Sequence, residues 1–260
     1  MNYELLVTIF YFIIGTAVGS FLNVWSRRLL KGQPPTGRSH CESCDHVLAA
    51  ADLIPLVSFL LLRGRCRYCH KPLSWQYPLV EFATGFVFAA ISLVTNYELR
   101  IAVPLLIASS ALIVIFITDF KKQVIFDQTT WVAFSGALLY RLLFRLPNSD
   151  FGLLAADFLG SFAAFLFFVF IRLATKKRGL GEGDPPLGFV AALLVGFPSV
   201  LVELFLAFVI GGLTGVALVL SGKRELKDRI AFGPFLVTAT FLTIFFGNRL
   251  LDWYLGFLGL

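Results

Sequence analysis

Two carboxylates and four thiols have the residue types and spacing to do chemistry. Asp119 closes a hydrophobic run in Ile117-Thr118-Asp119-Phe120-Lys121-Lys122, and Asp184 closes another in Gly181-Glu182-Gly183-Asp184-Pro185-Pro186. An acid at the edge of an apolar layer is costly and marks a functional candidate. Two carboxylates brought close together cannot both ionise cheaply, so they share a proton. The ionised one can take a proton from water while the protonated one polarises a carbonyl, which is general acid–base hydrolysis needing neither a metal nor a covalent intermediate. The glycines around Asp184 let the backbone unwind and approach a neighbour closely. Pro185 and Pro186 suit the first turn of a new helix. An extended peptide could lie beside such an acid without a side-chain clash.

The thiols form a second constellation. Cys41-Glu-Ser-Cys44 and Cys66-Arg-Tyr-Cys69 are two C-x2-C pairs separated by twenty-one residues, and no other cysteine occurs in the chain. Each pair makes a tight turn with two sulfurs aimed at one point, and two turns supply the tetrahedral four-cysteine set that structural Zn²⁺ prefers. A closed four-sulfur site leaves no open position, so it is assigned structure and not catalysis. His40, His46 and His70 flank the pairs and are expected around the ligands or in solvent. A cytoplasmic location would disfavour the alternative of stable disulfides.

These groups need elements to hold them. Of the 260 residues 58% are hydrophobic and the mean hydropathy is +0.82, more apolar side chain than a soluble core uses. The expected fold is therefore all-α, a polytopic membrane bundle of about eight spans near 5–25, 77–95, 101–118, 129–146, 151–172, 186–199, 200–221 and 230–250. The sixth is short and, with the turn at Pro198, could form one broken element with the seventh. The first run has no basic residue before it and is long enough to span, so no cleavable signal is read. The net charge of +6 is explained by topology, without nucleic acid. Arg27, Arg28, Lys31, Arg38, Arg63, Arg65, Arg67 and Lys71 follow the first run. By alternation the same side receives Lys121, Lys122, Arg172, Lys176, Lys177, Arg178, Lys223, Arg224, Lys227 and Arg229, and the other only Arg100, Arg141, Arg145 and Arg249. The positive-inside rule then places both termini outside and Asp119 and Asp184 on the cytoplasmic face. The expected organisation is a first span over 1–25, a cytoplasmic four-cysteine zinc segment over 26–76, and a membrane core over 77–260. The apolar stretch Leu53 to Leu62 is too short to span and is expected to pack against the membrane surface.

Further residues extend the pattern. Gly19-Ser20-Phe21-Leu22-Asn23-Val24, Arg38-Ser39-His40-Cys41, Ile54-Pro55-Leu56-Val57-Ser58, Leu62-Arg63-Gly64-Arg65-Cys66 and Ser74-Trp75-Gln76-Tyr77-Pro78-Leu79-Val80-Glu81 stand in order before the two aspartate motifs, the first of which includes Asp127. Together they resemble the bacterial type IV prepilin peptidases, the leader peptidase/N-methyltransferases, over nearly the whole chain. The resemblance implies a membrane aspartic endopeptidase of the Gly-x-Gly-Asp type, with Asp119 and Asp184 as the catalytic pair. Its substrates are prepilins and pseudopilins of type IV pilus and type II secretion systems, cut at the cytoplasmic face of the bacterial inner membrane after a short basic leader. It also implies methylation of the new N-terminus with S-adenosylmethionine. No Gly-rich cofactor loop in a strand–turn–helix context is present. The methyl-donor site is therefore unassigned, with Glu81 and the zinc segment as the accessory candidates.

The chain departs from the family pattern at three places. Pro186 stands where a lysine is usual after the second aspartate, Phe126 where a proline precedes the Asp127 position, and Arg27 where a tyrosine is usual. A nearby cation helps hold one carboxylate ionised, and Lys121, Lys122 or Arg178 are the candidates to replace the lysine. Two other classes compete: a non-enzymatic assembly scaffold docking through the zinc segment, and a transporter using Glu81, Asp157 and Glu203 along a path. The absence of repeat-related spacing among those acids weighs against the transporter.

Overall fold

A computed structural model describes residues 3–176, 179–223 and 230–258. The predicted charges Lys177, Arg178, Arg224, Lys227 and Arg229 lie outside the described residues. Among the described residues the regular elements are helices, with no strand and only two isolated β-bridges, and the cysteine segment is turns and loop. The helices are α1 (Tyr3–Leu30), α2 (Val57–Leu61), α3 (Gln76–Val94), α4 (Leu99–Lys122), α5 (Asp127–Arg145), α6 (Phe151–Ala174), α7 (Asp184–Val195), α8 (Ser199–Leu220) and α9 (Gly233–Leu258). Each expected span has a helical counterpart. Five of them, α1, α3, α4, α6 and α8, are long and apolar enough to cross a membrane. α5 carries Arg141 and Arg145 and α7 has only twelve residues. α9 is apolar over Gly233–Gly247 only.

The chain divides into two compact units, Met1–Glu98 and Leu99–Leu260. In the first, α1 and α3 pack along a seam of small residues. A Cβ on Gly15 would lie 2.8 Å from the Gly85 Cα, and one on Gly19 would lie 2.9 Å from the Glu81 Cα, so glycine is what permits the approach. Asn23 is buried at this seam, donating to the carbonyls of Gly19 and Tyr77 while accepting from the Gln76 side chain at 3.1 Å. These contacts explain Gly19 and Asn23 in the opening motif: one lets the helices touch and the other ties α1 to the start of α3.

In the second unit α4 is the central helix, with Ala102, Leu105, Ala108, Ala111, Leu112, Val114 and Ile115 wholly buried. α5 lies close on it, because Gly136 faces the Pro104 carbonyl at a distance no Cβ would allow. α7 contacts α5, α6, α8 and α9 and buries Leu187, Val190, Ala191, Ala192, Leu193 and Leu194. Such a helix, apolar on every side, belongs in a core.

Candidate active site

Asp119 lies in the last turn of α4 and is 5% exposed. The helix runs on to Lys122, so this acid sits inside a helix and does not follow one. Asp184 is the first residue of α7 and is 4% exposed. It opens the helix whose start Pro185 and Pro186 announced. Both acids line one cavity of about 300 Å³, with Gln123, Val124 and Ile125 on one wall, residues 179–183 on another, and Ile230, Ala231 and Phe232 on a third. They are near enough for the charge of Asp119 to act on Asp184. The structure therefore brings together two acids sixty-five positions apart in sequence (184 − 119).

Each carboxylate is oriented by a backbone donor. Gly181 N–H donates to Asp184 Oδ2 at 2.6 Å, and Gly233 N–H donates to Asp119 Oδ2 at 3.0 Å. One oxygen of each acid is thus fixed by a backbone donor. The glycines allow this closeness. A Cβ on Gly183 would lie 2.6 Å from the Ile125 Cβ, and one on Gly233 would lie 2.5 Å from Asp119 Oδ2. The sequence reading missed Gly233 and the 230–232 wall. The available signal was Gly233-Pro234, a dipeptide that marks a chain turn and a helix start.

The other acids are placed elsewhere. Asp127 opens α5, is exposed, and does not line the cavity; its charge faces the positive end of a helix dipole. Glu182 is exposed and pairs with Arg172 at 2.5 Å. The charge of Arg172 also reaches Asp184. Among the described cations Arg172 is thus one that reaches this acid, although it does not line the cavity itself. Lys121 and Lys122 do not line the cavity, and Arg178 lies outside the described residues. Two acids of the transporter reading are engaged by neighbouring helices: Asp157 with Arg145 at 2.9 Å, and Glu203 through one oxygen with the Thr240 hydroxyl at 2.7 Å.

In the first unit the four cysteine sulfurs lie within 4.8 Å of one another. The two turns repeat one pattern. Cys41 N–H donates to the His46 carbonyl and Asp45 N–H to the Cys41 carbonyl; Cys66 N–H donates to the Lys71 carbonyl and His70 N–H to the Cys66 carbonyl. Asp45 and His70 occupy equivalent positions at positive φ, 54° and 56°, and the bridges His40↔Val47 and Arg65↔Pro72 close each turn. None of the three histidines belongs to the cluster. Burial would raise the Cys66 thiol, but N–H groups of Cys69 and Tyr68 outweigh it and bring it down to about 7. At Cys44 the His46 N–H works downward, yet burial and the sulfurs of Cys69 and Cys41 push the thiol up to about 12. Four crowded sulfurs cannot all be thiolates unless a cation joins them, and a soft divalent ion fits that donor set.

The knuckles are tied to the helices. Arg28, at the end of α1, donates to the carbonyls of Pro35, Gly37 and Arg38, which lead into the first pair. Arg27 pairs with Glu42 at 2.7 Å, and Tyr77 of α3 donates to the same carboxylate. The arginine that replaces the usual tyrosine thus holds the cysteine turn. Glu81 of α3 accepts from Leu56 N–H at 2.8 Å and from the Ser20 hydroxyl. It lines a cavity with Tyr77, Phe59, Leu62, Cys41 and Cys66. The expected surface stretch contains α2, which buries Phe59 against Trp75 and exposes Leu60 and Leu61.

The comparisons agree with this architecture. Residues 13–95 match the Bacterial Peptidase A24 N-terminal domain and residues 106–216 match the Type IV leader peptidase family. A prepilin leader peptidase/N-methyltransferase of Aeromonas hydrophila is 30% identical over 273 residues, covering 94% of this chain and 92% of that protein. Its namesake in Bacillus subtilis (strain 168) is 30% identical over 245 residues, covering 94% and 96%. The one in Aeromonas salmonicida (strain A449) is 31% identical over 224 residues, covering 84% and 75%. No solved structure matches. With both halves matched in order, and relatives of this identity covered almost end to end, the chain belongs to the type IV leader peptidase family.

Proposed function

We propose that the protein is a membrane aspartic endopeptidase that removes the leader of prepilins and pseudopilins and methylates the new N-terminus. The observation that carries the first activity is the shared cavity of Asp119 and Asp184, each with one oxygen held by a glycine N–H. The ionised carboxylate takes a proton from water as its oxygen attacks the scissile carbonyl carbon, and the protonated carboxylate donates to the carbonyl oxygen. As the C–N bond breaks, a proton passes to the leaving amine and the pair returns to its singly protonated state. Arg172 supplies the positive charge that helps keep one member of the pair ionised.

α1 and α3 of the first unit and α4, α6 and α8 of the second cross the membrane, with α5, α7 and α9 completing the second unit's share of the apolar layer. The distribution of positive charge along the sequence supports a cavity at the cytoplasmic face of the inner membrane, with both termini outside. The four cysteines hold zinc, which when bound supplies the folding energy that a segment with so little apolar core lacks. S-adenosylmethionine, when bound, supplies an electrophilic methyl group. The cavity around Glu81 is where it would be held: Glu81 accepts from Leu56 N–H and the Ser20 hydroxyl, Phe59 and Leu62 offer apolar walls, and Arg27 and Arg67 share the lining.

The purified protein in lipid nanodiscs, given a synthetic prepilin and a methyl donor, is expected to yield a shortened and methylated product by mass spectrometry. Asp119→Asn and Asp184→Asn are each expected to abolish cleavage while methyl transfer to a pre-cleaved peptide persists. Retained cleavage in either variant would remove the dyad.

A further inference from the structure

α7 carries Asp184 at its first residue and ends at Val195, only twelve residues later. That is about 18 Å of helix, against about 30 Å of hydrocarbon. A helix that starts at one membrane face and stops there leaves its last carbonyls inside the apolar layer. Those carbonyls have no partner within the helix, and lipid offers none.

Arg141 of α5 supplies the partners. Its Nε donates to the Leu193 carbonyl at 2.6 Å and its Nη2 donates to the Leu194 carbonyl at 2.7 Å. A guanidinium also suits the negative end of a helix dipole. Its Nη1 lies 3.7 Å from Asp157 Oδ2 of α6. Asp157 accepts from Arg145 Nε at 2.9 Å and from the N–H of Phe197, just past α7, at 2.8 Å. Arg141 is 4% exposed and Asp157 1%. The turn is shaped to admit them. Gly196 has φ +71°, and a Cβ there would run into Arg141 Nη2 and lie 2.6 Å from Asp157 Oδ1.

At its other end α7 is held by packing, Gly183 against Ile125, and by the Gly181 N–H on Asp184 Oδ2, with no buried charged network like that of Arg141 among the described residues. Gly179, Gly181 and Gly183 fall among the five residues before Asp184, and glycine stiffens a chain least. Pro185 and Pro186 lack the N–H groups that would tether the first turn. With the charged network at one end only, and glycines leaving the chain before Asp184 pliant, that end fixes the height and rotation of the rod.

We infer that the buried Arg141–Asp157 network sets the height and rotation of α7 and thereby the meeting of Asp184 with Asp119, making Arg141 and Asp157 positioning residues for peptide cleavage. This rests on the reading of the two acids as the catalytic pair. Arg141→Lys keeps a positive charge but cannot reach two carbonyls and a carboxylate with a planar fork. Gly196→Ala keeps every charge and displaces the fork. Both variants are to be made in the full chain, reconstituted in nanodiscs and assayed for prepilin cleavage, for methyl transfer to a pre-cleaved peptide, and for thermal unfolding.

The expected result is a fall in kcat of roughly 100-fold, the cost of a misplacement near 1 Å. KM should stay within about twofold, because binding common to ground and transition states is untouched. Methyl transfer and the unfolding temperature should stay near those of the parent. Parent-like kcat in both variants would overturn the inference. So would loss of folded protein and of methyl transfer in both, since the network would then be a determinant of the fold alone. Asp184→Asn run beside them separates the two ideas: cleavage by that variant would end the dyad reading whatever Arg141 does.

Discussion

Gly233 lies 114 positions from Asp119, yet its N–H orients the carboxylate. The residue acts through what it lacks as well as through what it donates, because any Cβ would fall 2.5 Å from Asp119 Oδ2. Gly233→Ala is therefore expected to rotate the carboxylate away from its donor and to lower the cleavage rate by roughly 10- to 100-fold. A steady-state assay with a prepilin, beside methyl transfer on a pre-cleaved peptide as an unaffected control, checks it. Gly183 obeys the same rule against Ile125. The sequence reading recognised the glycines on either side of Glu182 as permissive; their particular neighbours became visible only once α4, α7 and α9 were assembled. Arg172 teaches the complementary lesson. It sits in α6 and reads in the sequence as one more cytoplasmic-side charge, while in the folded protein its charge reaches Asp184.

At the level of elements, the helices follow local rules. The apolar runs that predicted spans are helices because their periodicity and composition leave no other way to satisfy backbone groups in an apolar layer. Their ends were less legible, since α4 continues past Asp119 to Lys122 and α7 begins at Asp184 itself. The contact between α1 and α3 shows what a small-residue seam does. A Cβ on Gly85 would lie 2.8 Å from Thr16 Cγ2 and 3.0 Å from Phe12 Cε2. Gly85→Val should force the two helices apart and destabilise the first unit by about 1–3 kcal/mol, the usual cost of overpacking. Thermal unfolding of the variant in nanodiscs reads this directly, as an unchanged transition would show that the seam tolerates bulk.

For the whole molecule, the division into Met1–Glu98 and Leu99–Leu260 puts the cysteine centre and Glu81 in one unit and the aspartate pair in the other. Two activities with separate residues should be separable by mutation. Cys44→Ser is expected to release zinc, since metal-binding energy is folding energy here, and to abolish methyl transfer while leaving cleavage. Glu81→Gln is expected to reduce methyl transfer with zinc and cleavage intact, if the proposed charge on the methyl donor is what this acid supplies, since the amide keeps its size and an acceptor for Leu56 N–H. Metal analysis and product masses from the same samples decide both. Zinc absent from the parent protein would defeat the cysteine assignment, and parent-like methylation by Glu81→Gln would defeat the acid's role.

The sequence by itself determined the helical class, the approximate positions of the helices, the cysteine quartet and the two acids worth watching. Each of these is a property of a short window, where hydropathy, spacing or an unusual polar residue is read without knowing its neighbours. Only the tertiary structure decided that α7 is a half-length buried rod, that Arg141 serves carbonyls 52 and 53 positions away, and that Gly233 holds Asp119. Those facts depend on which distant backbone groups end up beside a side chain. The requirement that every buried donor and acceptor find a partner fixes that only when the whole bundle closes.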